Sequence, residues 1–262
     1  MPGYRDIAMR RRELLAALAA AFPALAENKR LRVACDTASW TIAVPEFENL
    51  VRVLAEAKEL GYEGFETSYR NVQGQFENWK EARTRIELPF YGVHIFQHEY
   101  DPKSNIPSHQ LMLRIAEGAK KLGCQRLIVS GSPVNGDAER MRWKSGALAR
   151  AGRMCRDLGF ERLCYQGPED GEFAALVKDA DPDIVRFVLE NPTAEFFAKH
   201  HKRIDGLHLA VVPANESLAA EVKKTGWQGW IVAAAVPTGE ENGPGRSAME
   251  PVRAEIRKQF NT

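Results

Sequence analysis

The sequence contains no uninterrupted apolar run of the roughly 20 residues that a membrane-spanning helix requires. It also has no excess of charge of either sign, because 36 Lys and Arg residues oppose 35 Asp and Glu residues, for a net charge of +1. A nucleic-acid groove needs clustered basic residues, so this balance argues against nucleic-acid binding. The remaining composition, 44% hydrophobic and 27% charged, is that of an ordinary globular protein.

Cysteine is scarce, and none of the four cysteines forms a C-x-x-C pair. This spacing excludes zinc-ribbon and thioredoxin-like sites. Cys35, Cys124 and Cys164 lie in or beside apolar, strand-like runs, so we expect buried, inert thiols. If the chain is exported in the folded state, one disulfide stays open as an alternative.

The first 29 residues differ from the rest of the chain. Three arginines at 10–12 precede an apolar stretch at 14–26, and Ala24-Leu25-Ala26 has the small-x-small pattern of a signal-peptidase site. The run Arg11-Arg12-Glu13-Leu14-Leu15 resembles a twin-arginine export signal. We expect residues 1–29 to be a signal-like or disordered segment and the protein to be exported, for example to the periplasm. A terminal helix covering one end of a cytoplasmic domain is the alternative.

From residue 30 onward, short apolar runs alternate with longer segments of helical periodicity. Strand–helix alternation predicts parallel strands joined by right-handed crossovers, and eight units in this length predict a single-domain (β/α)₈ TIM barrel over 30–262. A doubly wound open sheet shares the same local pattern and is the alternative fold. The predicted strands are LRVACDT, GFETS, YGVHIFQH, QRLIVSG, ERLCYQG, DIVRFVLE, DGLHLAVV and GWIVAAAV. The predicted helices are 45–60, 75–86, 108–122, 137–158, 171–180, 194–202, 216–225 and 247–260.

Catalytic residues of such barrels lie at the carboxyl-terminal ends of the strands. Polar residues at these ends give the candidate catalytic residues His98, Glu66 and Glu169, and the candidate substrate-binding residues Trp40, Arg70 and Gln166. His94 shares one face of strand three with Phe96 and His98, and strand four ends with Ser130 and Ser132. Several of these residues also have a structural interpretation. His94 could be a hydrogen-bonded core histidine, and Glu66 could pair with Arg70. Glu169 and Asp170 could cap the helix that starts near Gly171, and Trp40 could close the end of the barrel.

The phrases LGYEGFET, GAKKLGCQRLIVSGS, CRDLGFERLCYQGPEDGEF, FFAKHHKRIDGLHLAVV and GWQGWIV, taken in order, resemble the xylose isomerase-like TIM barrels, the sugar phosphate isomerase/epimerase superfamily. The resemblance runs from about Leu31 to the C-terminus. It implies a divalent metal, often manganese, at the barrel mouth. The metal ligands in that family are typically a Glu after strand five, an Asp after strand six, a His on strand seven and a Glu on strand eight. The chemistry that the resemblance implies is proton transfer at a carbon next to a carbonyl.

Transferred residue by residue, the resemblance assigns His208 to the histidine ligand, Glu190 to the aspartate position and Glu172 to the first glutamate. The strand-eight position is Ala234, which can neither bind a metal nor move a proton. The resemblance therefore implies a divergent member with a degenerate metal-ligand set, in which a complete manganese-type centre is not expected.

Two functions follow from the sequence. The first is a sugar or sugar phosphate isomerase/epimerase-like protein that acts on a carbohydrate or polyol. The alternative is a non-catalytic barrel, depleted of metal, that binds a carbohydrate or a partner protein. A related endonuclease is disfavoured because it needs many metal ligands and a basic face. The loop TGEENGPGR offers a weak phosphate-site pattern that its two glutamates oppose. An oligomer is compatible with the sequence.

Overall fold

The computed structural model describes residues 31–40, 42, 47–96, 100–210, 216–235 and 243–262. The predicted signal-like segment 1–29, the candidate His98 and most of the loop TGEENGPGR lie outside these residues. Within them, eight parallel strands close into a barrel in chain order, so the barrel prediction is confirmed and the open sheet is wrong. The strands are β1 (Arg32–Asp36), β2 (Gly64–Ser68), β3 (Phe90–Ile95), β4 (Arg126–Val129), β5 (Arg162–Pro168), β6 (Val185–Glu190), β7 (Ile204–Ala210) and β8 (Trp230–Ala234).

The α-helices of the described residues lie between the strands, with the last one after β8. They are α1 (Phe47–Glu59), α2 (Trp79–Arg85), α3 (His109–Lys121), α4 (Ala138–Asp157), α5 (Gly171–Asp179), α6 (Ala194–His200), α7 (Glu216–Thr225) and α8 (Arg246–Phe260). In α1, residues Phe47, Leu50, Val53, Leu54 and Ala57 are buried, which is the three-to-four-residue spacing of one helix face.

Glycines follow four of these helices, as the sequence predicts. Gly61, Gly123, Gly159 and Gly226 all have positive φ angles, between 63° and 92°. A residue with a Cβ atom is strained in this left-handed conformation, so glycine ends the helix and turns the chain toward the next strand.

The lower interior of the barrel is apolar. Every second side chain of a strand points inward, and the buried interior cluster consists of Ala34, Tyr91, Ile128, Cys164, Val188, Trp230 and Val232. Glycine makes room for the large members of this cluster: a Cβ atom at Gly92 would lie 2.4 Å from Cδ1 of Ile128. The interior is therefore a packed core and not a pore.

A buried ion pair lies near the amino-terminal end of the barrel. The guanidinium of Arg126 binds the carboxylates of Asp205 and Glu161, and it also lies over the ring of Tyr91. The side chain of Arg126 is 7% exposed and that of Asp205 is 17% exposed. Removing the cation would leave Asp205 without its hydrogen-bonded partner in a largely desolvated place.

All four cysteines are buried and unpaired, which confirms the expectation of structural thiols. Burial raises the pKa of Cys124 and of Cys155 to about 12, so neither is a reactive thiolate near neutral pH. None of the described helices is both long enough and apolar enough to span a bilayer.

We expect Arg126→Met to lower the free energy of unfolding by about 3–5 kcal/mol, because it strips a partly buried carboxylate of its partner. Chemical denaturation of the purified protein measures this loss. The matched control is Lys58→Met, which removes the solvent-exposed ion pair with Glu87 and should change stability little. Equal losses in the two variants would contradict a structural role for the Arg126 cluster.

Candidate functional site

Polar side chains replace the apolar ones at the carboxyl-terminal end of the barrel. Asp36, Ser130, Gln166 and Glu190 each lie two residues beyond a member of the interior cluster, so their side chains face the interior. Glu66, His94 and His208 each lie two residues beyond a glycine whose Cβ atom would meet a member of that cluster. We call the set the polar layer: Asp36, Glu66, His94, Ser130, Gln166, Glu190 and His208. On β8 the corresponding position is Ala234.

One half of the polar layer is built around His208, which is fully buried. Its Nε2 lies 3.2 Å from Oδ2 of Asp36. Burial alone would lower the pKa of His208, but the hydrogen bond to Asp36 and the charges of Glu66, Asp36 and Glu190 outweigh it and raise the pKa to about 9. At neutral pH His208 is therefore a cation that donates to Asp36.

The same half contains a carboxylate held by an amide. Gln166 is buried, and its Nε2 donates to Oε1 of Glu190 over 3.3 Å. Glu190 is half-buried and lines a cleft of about 410 Å³. The cleft is also lined by Phe96, Tyr100, Ser130, Gly131, Pro133, Tyr165, Gln166, Gly167, Pro168, Asp170, Glu172 and Phe173.

The other half of the polar layer joins three neighbouring strands. Nδ1 of His94 on β3 lies 3.3 Å from Oε1 of Glu66 on β2. Nε2 of the same ring lies 2.8 Å from Oγ of Ser130, directly after β4. The ring of Phe96 contacts the imidazole edge-on, with ring centroids 4.9 Å apart, and so restricts its orientation.

The structure brings Glu66, Gln166, Glu190 and His208 together in the polar layer and places the other described candidates elsewhere. Trp40 is 2% exposed and its Nε1 donates to Glu56 on α1, so its ring offers no free face for stacking. Arg70 lies in the short 3₁₀ turn after β2. Glu169 accepts hydrogen bonds from the backbone N–H and hydroxyl of Thr193, the N-cap residue of α6.

Glu172, on α5, lines the same cleft but belongs to a different network, centred on Lys144 of α4. Its Oε1 lies 2.5 Å from Nζ of Lys144, and its Oε2 accepts from the backbone N–H of Val134. Lys144 also donates to the carbonyl of Ser132 and to the hydroxyl of Tyr165. Both carboxylate oxygens of Glu172 are thus engaged in bonds that hold the β4–α4 loop and α4.

The described residues do not fit the divalent metal that the resemblance implies. No group of three or more His, Cys, Asp or Glu side chains in the described part of the chain is arranged to hold a metal ion. The barrel order explains why. Strand β8 lies between β7 and β1, so the contact between His208 and Asp36 crosses the face of β8, where Ala234 contributes only a methyl group. An ion pair occupies the histidine that would be a ligand, and the strand-eight donor is absent.

Sequence reasoning missed Asp36 as a site residue. It is the last residue of β1 and is 8% exposed, and its side chain also accepts from the backbone N–H of Ala38. The search for polar residues at strand ends could have found it, because Asp36 ends the first predicted strand and points to the same side as Ala34, two residues earlier.

Comparisons with known proteins place the fold. No protein-family model matches the chain, and no curated protein matches its sequence. A sugar phosphate isomerase/epimerase from Parabacteroides distasonis is similar in structure, with a TM-score of 0.66 and 14% identity over 88% of this chain and 94% of that one. The 3-keto-D-glucoside 4-epimerase YcjR from E. coli has a TM-score of 0.65 and 13% identity, over 86% of this chain and 100% of that one. An L-ribulose 3-epimerase has a TM-score of 0.70 and 12% identity, over 88% of this chain and 95% of that one. The predicted resemblance is confirmed at the level of the fold, which is that of the xylose isomerase-like barrels.

The charge on His208 predicts how stability depends on pH. The pKa rises from 6.5 to about 9 on folding, so the stabilisation is fully present below about pH 6.5 and is lost as the pH rises through 9. We expect the free energy of unfolding to fall over this range by on the order of 3 kcal/mol. Denaturant titrations at a series of pH values measure it. His208→Gln should remove this component, and parallel curves for the two proteins would contradict it.

We further expect the protein to bind less than one equivalent of metal per chain after equilibration with Mn²⁺, Co²⁺ or Zn²⁺ and removal of free ion. Elemental mass spectrometry gives the stoichiometry, and thermal unfolding should show no shift in Tm on adding metal. One equivalent per chain together with a raised Tm would contradict this prediction and would indicate that donors outside the described residues complete a site.

Proposed function

We propose that this protein is an isomerase or epimerase that acts on a carbohydrate or polyol by moving a proton at a carbon next to a carbonyl. The observation that carries the proposal is the pairing of a half-buried carboxylate, Glu190, with the buried cation His208 on the neighbouring strand, beside a cleft of about 410 Å³. The fold adds support, because barrels of this kind include named sugar isomerases and epimerases.

Glu190 is the base in this proposal. It lines the cleft, and Gln166 fixes one of its oxygens while the carboxylate remains half-exposed to a ligand. A positioned carboxylate removes the proton from the carbon next to the carbonyl, and the C–H electron pair moves toward the carbonyl oxygen to give an enolate. Water that delivers a proton to the other face of the same carbon gives an epimer, and Glu190 then loses its own proton to water. Return of the proton from Glu190 to the former carbonyl carbon gives an isomer, as the proton of the adjacent hydroxyl passes to the former carbonyl oxygen.

His208 stabilises the negative charge that develops in this step. Its imidazolium is held in place by Asp36 and lies in the same desolvated layer as Glu190. A fixed positive charge in such a layer favours an enolate more than it would in water, because the electrostatic interaction is screened less. Asp36 is then a positioning residue that keeps His208 protonated. No step in this scheme requires a metal.

The cleft wall suits a carbohydrate. Aromatic rings from Phe96, Tyr100, Tyr165 and Phe173 provide apolar surface for the C–H face of a sugar, while Gln166 and Glu190 offer hydrogen-bond partners for hydroxyl groups. Polyols present both kinds of surface.

A second candidate is a barrel that binds a carbohydrate or a partner protein without turnover. The observation that favours it is Ala234, since it removes the strand-eight carboxylate that would otherwise face the mouth. Under this alternative the pairs in the polar layer are purely structural. Binding without exchange of substrate protons distinguishes it from the enzyme.

We expect the protein to exchange carbon-bound protons of a ketose or keto-glycoside for deuterium in D₂O, and Glu190→Gln to slow this exchange by about 10²–10⁴-fold, as general bases commonly contribute. Proton NMR of a sugar panel measures it, with and without a chelator, which should have no effect. Glu169→Gln is the matched control, because its carboxylate caps Thr193 and lies outside the polar layer. Exchange that survives in Glu190→Gln would contradict the assignment of the base, and saturable binding without exchange would favour the second candidate.

A further inference from the structure

We propose a second activity in the same cleft: hydrolysis of carboxylic esters through a nucleophilic Ser130 that is activated by His94 and Glu66. The inference is independent of the proton-transfer function, because it uses the other half of the polar layer. It stands on one chain of contacts, from Ser130 Oγ to His94 Nε2 at 2.8 Å and from His94 Nδ1 to Glu66 Oε1 at 3.3 Å.

The three side chains stand in the order that a nucleophilic serine needs: the Ser130–His94 contact is a hydrogen bond, and the His94–Glu66 contact is a 3.3 Å approach of opposite charges when His94 is protonated. One ring nitrogen of the imidazole faces the hydroxyl and the opposite nitrogen faces a carboxylate, so a proton on Nδ1 leaves Nε2 free to accept from Ser130. Three consecutive strands supply the members, Glu66 from β2, His94 from β3 and Ser130 from the end of β4. Their side chains are thus fixed by the barrel and not by a flexible loop.

Glu66 has no conventional partner that would explain its burial. It is 1% exposed, and neither of its carboxylate oxygens makes a hydrogen bond of good geometry with any described residue. Its closest basic contact is the 3.3 Å approach to His94. A buried carboxylate in this state is costly unless it meets a positive charge. The His208 cation of the same layer supplies part of that charge, and an imidazolium that forms on His94 during acyl transfer would supply more of it at direct contact.

Ser130 is the member that a ligand can reach. Glu66 and His94 are buried, whereas Ser130 is half-buried and lines the cleft. Gly131 follows it, and a Cβ atom there would lie 2.4 Å from the carbonyl oxygen of Asn105, so only glycine fits this close approach of the two backbone segments. The N–H of Gly131 donates to no acceptor among the described residues. An amide one residue after the nucleophile is a common oxyanion donor.

The reaction balances with water as the only co-reactant. Oγ of Ser130 bonds to the ester carbonyl carbon while its proton passes to Nε2 of His94, and the carbonyl electron pair moves onto oxygen. Collapse of this intermediate breaks the carbon–oxygen bond to the alcohol, which leaves with the proton from His94. Water then attacks the acyl-serine, gives its proton to His94, and releases the carboxylic acid as the proton returns to Ser130.

The cleft wall indicates the substrate class. Phe96, Tyr100 and Tyr165 line the cleft with Ser130 and provide apolar surface for the acyl group. A volume of about 410 Å³ admits a small ester and not a long lipid chain. We therefore expect esters of short acyl or aryl acids to be the substrates.

The test is covalent labelling of the full-length protein with a fluorophosphonate probe, followed by peptide mass spectrometry. We expect one adduct per chain, on Ser130, and a burst of p-nitrophenol when p-nitrophenyl acetate is added. Ser130→Ala should abolish both. His94→Gln should slow labelling by at least about 100-fold, as loss of a general base does, and should remove the rise of the labelling rate with pH.

Ser132→Ala is the matched control, since Ser132 lies two residues away, is similarly half-buried and is not part of the cleft wall. It should label at the wild-type rate. An adduct on another serine, or no adduct in the folded wild-type protein, would overturn the proposal without reference to any variant. Wild-type labelling in His94→Gln would also overturn it, because a merely reactive hydroxyl does not need the imidazole.

Discussion

Three carboxylates share the last interior layer of this barrel, and the positive charge on His208 makes that arrangement tenable. Asp36 and Glu66 are buried and Glu190 is half-buried, so their mutual repulsion is poorly screened. Burial by itself disfavours a charged imidazole, yet the summed field of the carboxylates raises the pKa of His208 to about 9. The charges in the polar layer therefore depend on one another, because the proton on His208 is held by the negative charges of the neighbouring carboxylates.

Closure of the sheet determines which of these groups can meet. Because β8 separates β7 from β1, His208 reaches Asp36 only across β8, and a small side chain at Ala234 leaves that path open. The small alanine side chains at the end of β8 thus leave the space that the His208–Asp36 ion pair occupies. A glutamate at this position, as in the resembling family, would place a fourth carboxylate where the two side chains now meet. In this chain the same alanine both omits a strand-eight carboxylate and leaves room for the ion pair.

The fold was predictable because its signals are local and repeated. The observed helices begin and end within a few residues of the predicted ones, since periodic apolar residues and the left-handed glycines Gly61, Gly123, Gly159 and Gly226 bound them. The site was predictable only in part. Strand ends pointed to Glu66 and Gln166, and the family resemblance pointed to Glu190 and His208. The same resemblance also favoured Glu172, which pairs instead with Lys144 on α4. The contacts of Asp36 with His208 and of Ser130 with His94 join residues far apart in the chain, and only the barrel's closure and register bring them together.

Access to the cleft divides the polar layer into groups that can touch a ligand and groups that act through them. Ser130 and Glu190 are half-buried, whereas the other members are buried. Behind Ser130 stand His94 and Glu66, and beside Glu190 lie Gln166 and the His208–Asp36 pair. Gln166 lies between the two accessible groups on β5 and lines the same cleft, so it separates them while facing both. Of the hydroxyl and carboxyl groups in the polar layer, those that line the cleft are Ser130 and Glu190, and their buried partners decide the charge that each presents to a ligand.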